Sequence, residues 1–88
     1  FIERYCSNLE MSKTNMKLCY IITKRAIESA IVDDNTPPSI AAGCIFYYIK
    51  KHSIENITKK NISDICKISE VTINKCTKKI ELNDHLFD

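Results

Sequence analysis

Glycine occurs once in 88 residues, proline twice and tryptophan not at all. A β-sandwich or barrel needs many tight turns, and so sparse a supply of turn residues excludes one. No long apolar run is present either. The longest uncharged apolar stretch, Ile40 to Ile49, covers ten residues, about half of the ~20 a membrane span requires, so no membrane partner is expected. Cys6, Cys19, Cys44, Cys66 and Cys76 contain no Cys-x-x-Cys pair, and the only histidines are His52 and His85. Zinc spacing is therefore missing, and no metal site is expected. There is no Ser/His/Asp set, no glycine-rich phosphate loop and no paired acids. An enzyme, a cofactor and a small-molecule substrate are accordingly not expected.

What is present belongs to one helical domain. Hydrophobic residues make up 44% and charged residues 27%, ordinary for a globular chain and too apolar for a disordered one. The odd number of cysteines, several inside apolar periodic runs, reads as buried free thiols in a reducing intracellular setting. A chain that begins at Phe1 reads as a domain excised from a larger protein.

The net charge of +2 is unevenly spread. Residues 1–49 carry five basic and five acidic side chains. Residues 50–80 carry eight lysines against Glu55, Asp64 and Glu70, a surplus of +5, and Glu81, Asp84 and Asp88 close the chain at −3. A basic third on a neutral domain points to a polyanion met by one face. A lysine-rich solvated surface is the plainer alternative.

Apolar periodicity and capping residues predict five helices, at about 1–9, 12–31, 37–51, 58–66 and 69–80. The first places Phe1, Ile2, Tyr5 and Leu9 on one side. The second starts at the N-cap Ser12 and carries Cys19, Ile22, Ala26, Ile27 and Ala30 at three- and four-residue steps. Thr36 and Pro37 suit the start of the third, which is apolar all round and therefore expected to be central and buried, Tyr47 and Tyr48 included. Thr58 and Ser69 cap the last two. His52 reads as a plain surface residue.

The last two helices have the spacing of a helix-turn-helix. Ile62, Cys66, Ile68, Ile73 and Cys76 pin the pair, with small Ser63 near the crossing. Ile73, Cys76 and Ile80 form the inward stripe of the final helix, and Val71, Asn74, Lys75 and Lys78 the outward one. That outward set suits a DNA major groove. Valine meets a thymine methyl, asparagine pairs bidentately with adenine, and lysines reach phosphates or guanine. Lys59 and Lys60 open the helix that crosses the DNA backbone in such motifs.

Four stretches taken in order, FIERYCSNL, TPPSIAAGCIFYY, NISDICKISEVTIN and HLFD, resemble the second cyclin-like repeat of the eukaryotic transcription factor IIB family over essentially the whole chain. The resemblance implies an all-α, five-helix cyclin-like fold in a nuclear general initiation factor that clamps the TATA-binding protein on promoter DNA and recruits RNA polymerase II. It implies a helix-turn-helix in the major groove upstream of the TATA element. Carried over, Val71 and Asn74 are the expected base contacts, and Thr72, Lys75, Lys78, Lys59 and Lys60 the expected phosphate contacts.

Three departures stand out. Asn74 lies where the family often has an arginine reading guanine, which shifts the expectation toward adenine or toward little specificity. Lys67 replaces the usual turn glycine, at a cost of about 1 kcal/mol if that residue is left-handed. Asp33 and Asp34 precede the third helix, where the family tends to be neutral or basic. Four lysines on phosphates give a salt slope of about −3.6. Two other readings stay open: a cyclin-like adaptor for a kinase or another protein, and the related repeat of an RNA polymerase III initiation factor. The first needs an apolar groove, and no large unassigned apolar patch is apparent in the sequence.

Overall fold

The uncharged segment that follows Thr36 forms α3 (Pro37–Lys51), and the other four helices pack around it. The computed structural model describes residues 2–32 and 34–86 and orders them as α1 (Ile2–Asn8), α2 (Lys13–Glu28), α3, α4 (Lys59–Cys66) and α5 (Glu70–Leu82), then a 3₁₀ turn at Asp84–Leu86. No strand occurs among the described residues. The fold is the all-α, five-helix bundle expected. From Ser39 to Ile49 every residue of α3 is buried except the half-buried Phe46. An element that is apolar on all sides has no solvent face to offer, and so becomes the axis of the bundle.

The caps act as the residue types require. Ser12, Thr58 and Ser69 each accept a backbone N–H from the residue three positions on, and Asn61 returns a side-chain bond to the Thr58 N–H, completing a capping box. Thr36 differs. It occupies the N-cap position of α3 but makes no side-chain cap, its hydroxyl instead bonding that of Ser39 at 2.9 Å.

Two boundaries depart from the periodic reading. α2 stops at Glu28, not Ile31, because Ser29 and Ala30 donate back to the carbonyls of Arg25 and Ile27 while Ala30 turns left-handed at φ 60°. An alanine there gives no sequence signal of a helix end. Ile27, still within α2, and Ala30, beyond its end, are both exposed, outside the inward stripe formed by Cys19, Ile22 and Ala26. At the other end of the chain α5 runs on to Leu82, two residues beyond the expected Ile80.

The single glycine lies inside a helix. A Cβ built on Gly43 would stand 2.6 Å from Cys76 Sγ and 2.7 Å from Cys76 Cβ, so α3 and α5 approach closer than any side chain permits. The Thr77 hydroxyl donates to the Gly43 carbonyl at 3.1 Å across the same crossing, itself buried. Glycine in a helix interior costs about 1 kcal/mol relative to alanine, a cost offset by the close packing it allows.

Among the described residues the four that are left-handed, Glu10, Ala30, Ser53 and Lys67, are non-glycine, each carrying a steric penalty of about 1–2 kcal/mol.

Two stability outcomes are expected. Gly43→Ala lowers the unfolding free energy by about 1–3 kcal/mol through overpacking, and adding Cys76→Ala recovers only part of the loss, because the Cys76 Cβ remains too close. Lys67→Gly raises stability by up to about 1 kcal/mol. Both are read as shifts in urea midpoint at constant m-value.

Candidate nucleic-acid interface

α4, the connection 67–69 and α5 form a helix-turn-helix whose geometry follows from three local devices. Lys67 closes α4 in the left-handed conformation, φ 60° and ψ 37°, with its N–H on the Ser63 carbonyl. The Ser63 hydroxyl donates to the Ile68 carbonyl at 2.6 Å, tying the turn to the helix before it. Ser69 then caps α5. Beneath the turn Ile62, Ile73, Cys76 and Ile80 are fully buried and Cys66 nearly so. This apolar seam sets the rotation of α5 about its axis and hence what it shows to solvent.

The outward stripe is open. Val71 is 62% exposed, and Asn74, Lys75 and Lys78 are exposed as well. Thr72 is half-buried, and its hydroxyl accepts from Ser69 at 2.9 Å, so its own proton is left to donate outward. Lys60 is exposed on α4.

Lys59 behaves differently from the rest of the set. It is half-buried, its ammonium donates to Asn74 Oδ1 at 3.1 Å, and it lies 5.7 Å from the Phe46 ring centroid. It was expected as a phosphate arm, but in the structure it is held against another residue of the same face.

The eight lysines of the basic third divide by partner. Lys50 pairs with Glu81 at 3.3 Å, Lys51 with Asp84 at 3.6 Å, and Lys79 with Asp34 at 2.7 Å, its ammonium also donating to Asn35 Oδ1 at 2.9 Å. With Lys59 engaged, Lys60, Lys67, Lys75 and Lys78 remain without an anionic partner among the described residues. All four lie on the helix-turn-helix. Asp34 thus has a structural task, fastening the loop before α3 to α5, while Asp33 lies outside the described residues. So do Phe1, Phe87 and Asp88, the outermost residues of the quoted likeness.

Titration behaviour follows the same contacts. The hydrogen bond from Lys79 holds the Asp34 carboxyl below its ordinary value. Asp84 is likewise lowered, first by the hydrogen bond from the Tyr47 hydroxyl and further by Lys51. Burial raises the Tyr47 phenol, and Asp84 raises it further. The thiols are core groups. Burial pushes Cys44 and Cys66 up to about 12 and Cys76 up to about 11, and Cys19 is raised by its hydrogen bond with Cys6 and by burial. Thiols held neutral by burial in this way are poor nucleophiles. No group of three His, Cys, Asp or Glu side chains able to hold a metal exists among the described residues, and no helix there is long and apolar enough to cross a membrane.

One surface escaped the sequence reading. Ile2, Tyr20, Ile27, Pro37 and Ile40, with Lys24 on the rim, line a mainly apolar groove of about 520 Å³ between α1, α2 and the start of α3. Tyr20 and Ile27 are 59% and 54% exposed. The expectation of no unassigned apolar patch is therefore corrected. Its cause is the rotation of α2, which buries Cys19, Ile22 and Ala26 and leaves Tyr20 and Ile27 outside.

With this geometry in view the comparisons are specific. The family model for the transcription factor TFIIB repeat matches residues 1–83. The chain belongs to that family. It is 35% identical over 80 residues, 91% of its length, to transcription initiation factor IIB of Xenopus laevis and of Homo sapiens, covering 25% of each. The same identity and share relate it to a putative transcription initiation factor IIB-like protein of Acanthamoeba polyphaga mimivirus, of which it covers 17%. The TFIIB repeat thus spans about a quarter of the length of the factor IIB relatives it matches. No solved structure gives a significant match. These relatives are named as transcription initiation factors, which agrees with the expected class of a transcription protein.

A titration checks the Asp84 network. The stabilisation it supplies is complete above the ordinary carboxylate range near 4 and fades as pH falls through the lower folded value. Tyr47→Phe removes the principal cause, so the Asp84 carboxyl, followed by NMR, is expected to titrate at a higher pH than in the parent.

Proposed function

We propose that this TFIIB repeat is the second, C-terminal repeat of a nuclear initiation factor, and that it binds promoter DNA upstream of the TATA element through α4 and α5. In this reading the full factor clamps the TATA-binding protein and recruits RNA polymerase II, and the repeat itself performs no chemistry. One observation carries it. Of the eight lysines in residues 50–80, the five without an anionic partner among the described residues, Lys59 included, are all on the helix-turn-helix, beside an open Val71–Lys78 strip. A merely solvated lysine surface gives no reason for that concentration.

The roles follow from reach. Val71 and Asn74 face base edges, with Thr72, Lys60, Lys75 and Lys78 on phosphates. Lys59 is withdrawn from the phosphate set by its bond to Asn74. Affinity of a lone repeat is expected to be modest, because the full factor gains effective concentration from its other contacts.

The apolar groove on α1, α2 and α3 favours a second reading, a cyclin-like adaptor that holds a protein partner there. The two readings use different elements, since no residue lining the groove belongs to α4 or α5. Assignment to a polymerase III factor in place of the polymerase II factor rests on flanking sequence. An upstream homologous repeat and an N-terminal zinc ribbon are expected for a factor IIB protein.

Salt titration of the chain on promoter duplex tests the DNA reading. Three phosphate-binding lysines give a slope of log K against log salt of about −2.7, and Lys75→Gln or Lys78→Gln makes it shallower by about 0.9 each. Unchanged slope and affinity in both variants would overturn the reading.

A further inference from the structure

Asparagine reads adenine because its amide offers one acceptor and one donor, matching the N6 amino group and N7 of that base. Asn74 carries that acceptor with one of its two lone pairs already engaged. Its carbonyl oxygen already accepts from the Lys59 ammonium at 3.1 Å. With Oδ1 engaged by the α4 lysine, the polar group of the side chain with no partner among the described residues is Nδ2, which only donates. The ammonium beside it also donates and carries a full positive charge. Lys59 is kept there by more than one contact, since it also lies over the face of the half-buried Phe46. Attraction between an ammonium and an aromatic ring restrains the head at modest cost.

We propose that Lys59 and Asn74 form one reading head for guanine, a composite of an amide donor and an ammonium donor on two different helices. The proposal rests on the DNA-binding reading and deepens it. Guanine presents N7 and O6 in the major groove, two acceptors and no donor. Adenine places an amino donor next to N7, so one end of the pair would face a like group, with the ammonium adding repulsion. Cytosine offers a donor, and thymine a single acceptor beside a methyl group. Only guanine accepts from both members. Lys59 is thus a specificity-determining residue, and without it Asn74 reverts to the adenine preference its chemistry alone supports.

A duplex pool with ten randomised base pairs is selected separately with the parent chain, Lys59→Met, Lys59→Arg and Asn74→Ala. Helix content of each is checked by circular dichroism. Methionine retains the length of the lysine stem and its contact with Phe46 without the charge; arginine retains charge and donors. The parent is expected to favour guanine over adenine roughly tenfold at one base pair. Lys59→Met abolishes or reverses that preference at the same pair while keeping the parent's salt slope, Lys59→Arg keeps guanine, and Asn74→Ala shows no preference there. A parent that selects adenine at that pair, or an Lys59→Met variant with the guanine excess intact, overturns the composite head. So does an Lys59→Met variant whose slope becomes shallower by about 0.9 with its preference unchanged, the signature of a phosphate contact. If the parent retains no duplex at all, the DNA-binding reading falls first and the composite head with it.

Discussion

The contact on which the molecule depends is the crossing of α3 and α5 at Gly43. Absence of a side chain there lets the Cys76 thiol occupy the space a Cβ would need, and the Thr77 hydroxyl reaches the Gly43 carbonyl across the gap. Because an α-helix turns 3.6 residues per turn, burying Ile73, Cys76, Thr77 and Ile80 on one side decides that Val71, Asn74, Lys75 and Lys78 stand on the other. The candidate interface is therefore a consequence of core packing. Its side chains need no support of their own to face outward.

The charges complete what the core begins. Glu81, Asp84 and Asp34 each take a lysine of the basic third, and all three pairs connect α5 or the turn after it to α3 or to the loop before α3. Exposed pairs of this kind contribute little stability individually. Their larger effect is on distribution, because they neutralise ammonium groups near the α3–α5 seam, Lys79 among them, and leave Lys59, Lys60, Lys67, Lys75 and Lys78 of the helix-turn-helix without a counter-charge among the described residues. A net charge of +2 says little about such a molecule. Which lysines keep a free field says much more, since a polyanion responds to local potential.

Much of this was legible in the sequence wherever the deciding interaction is local. Caps at Ser12, Thr58 and Ser69, the proline opening α3 and the inward stripe of α5 all depend on residues within a turn or two of one another. The fold class and the outward set came from the same kind of information. What was not legible is long-range or locally contrary. Gly43 reads as a helix-weakening residue until α5 is placed against it. The end of α2 depends on a left-handed alanine, a residue that prefers helix. The exposure of Tyr20 and Ile27 depends on how α2 is rotated against its neighbours, and their periodicity alone reads as core. At the site itself, exposure of Asn74 was foreseeable from spacing, but its bond to Lys59 spans 15 positions and two helices, and only the tertiary arrangement places them together.

The apolar groove and the basic strip are best understood together. An exposed apolar surface is retained in a soluble domain when something else covers it or when it serves recognition, and the groove is built from α1, α2 and the start of α3. The strip belongs to α4 and α5. Because α3 lies at the centre and touches all the others, one rigid axis holds both surfaces in fixed relation without either obstructing the other. In the proposed reading, a repeat built this way offers one set of helices to a nucleic acid and leaves the other set open. Since fold alone does not choose between such partners, the choice falls to chemistry: free ammonium groups beside a protruding valine suit a duplex, and a concave apolar surface whose charged lining is one acid, Glu3, and one base, Lys24, does not.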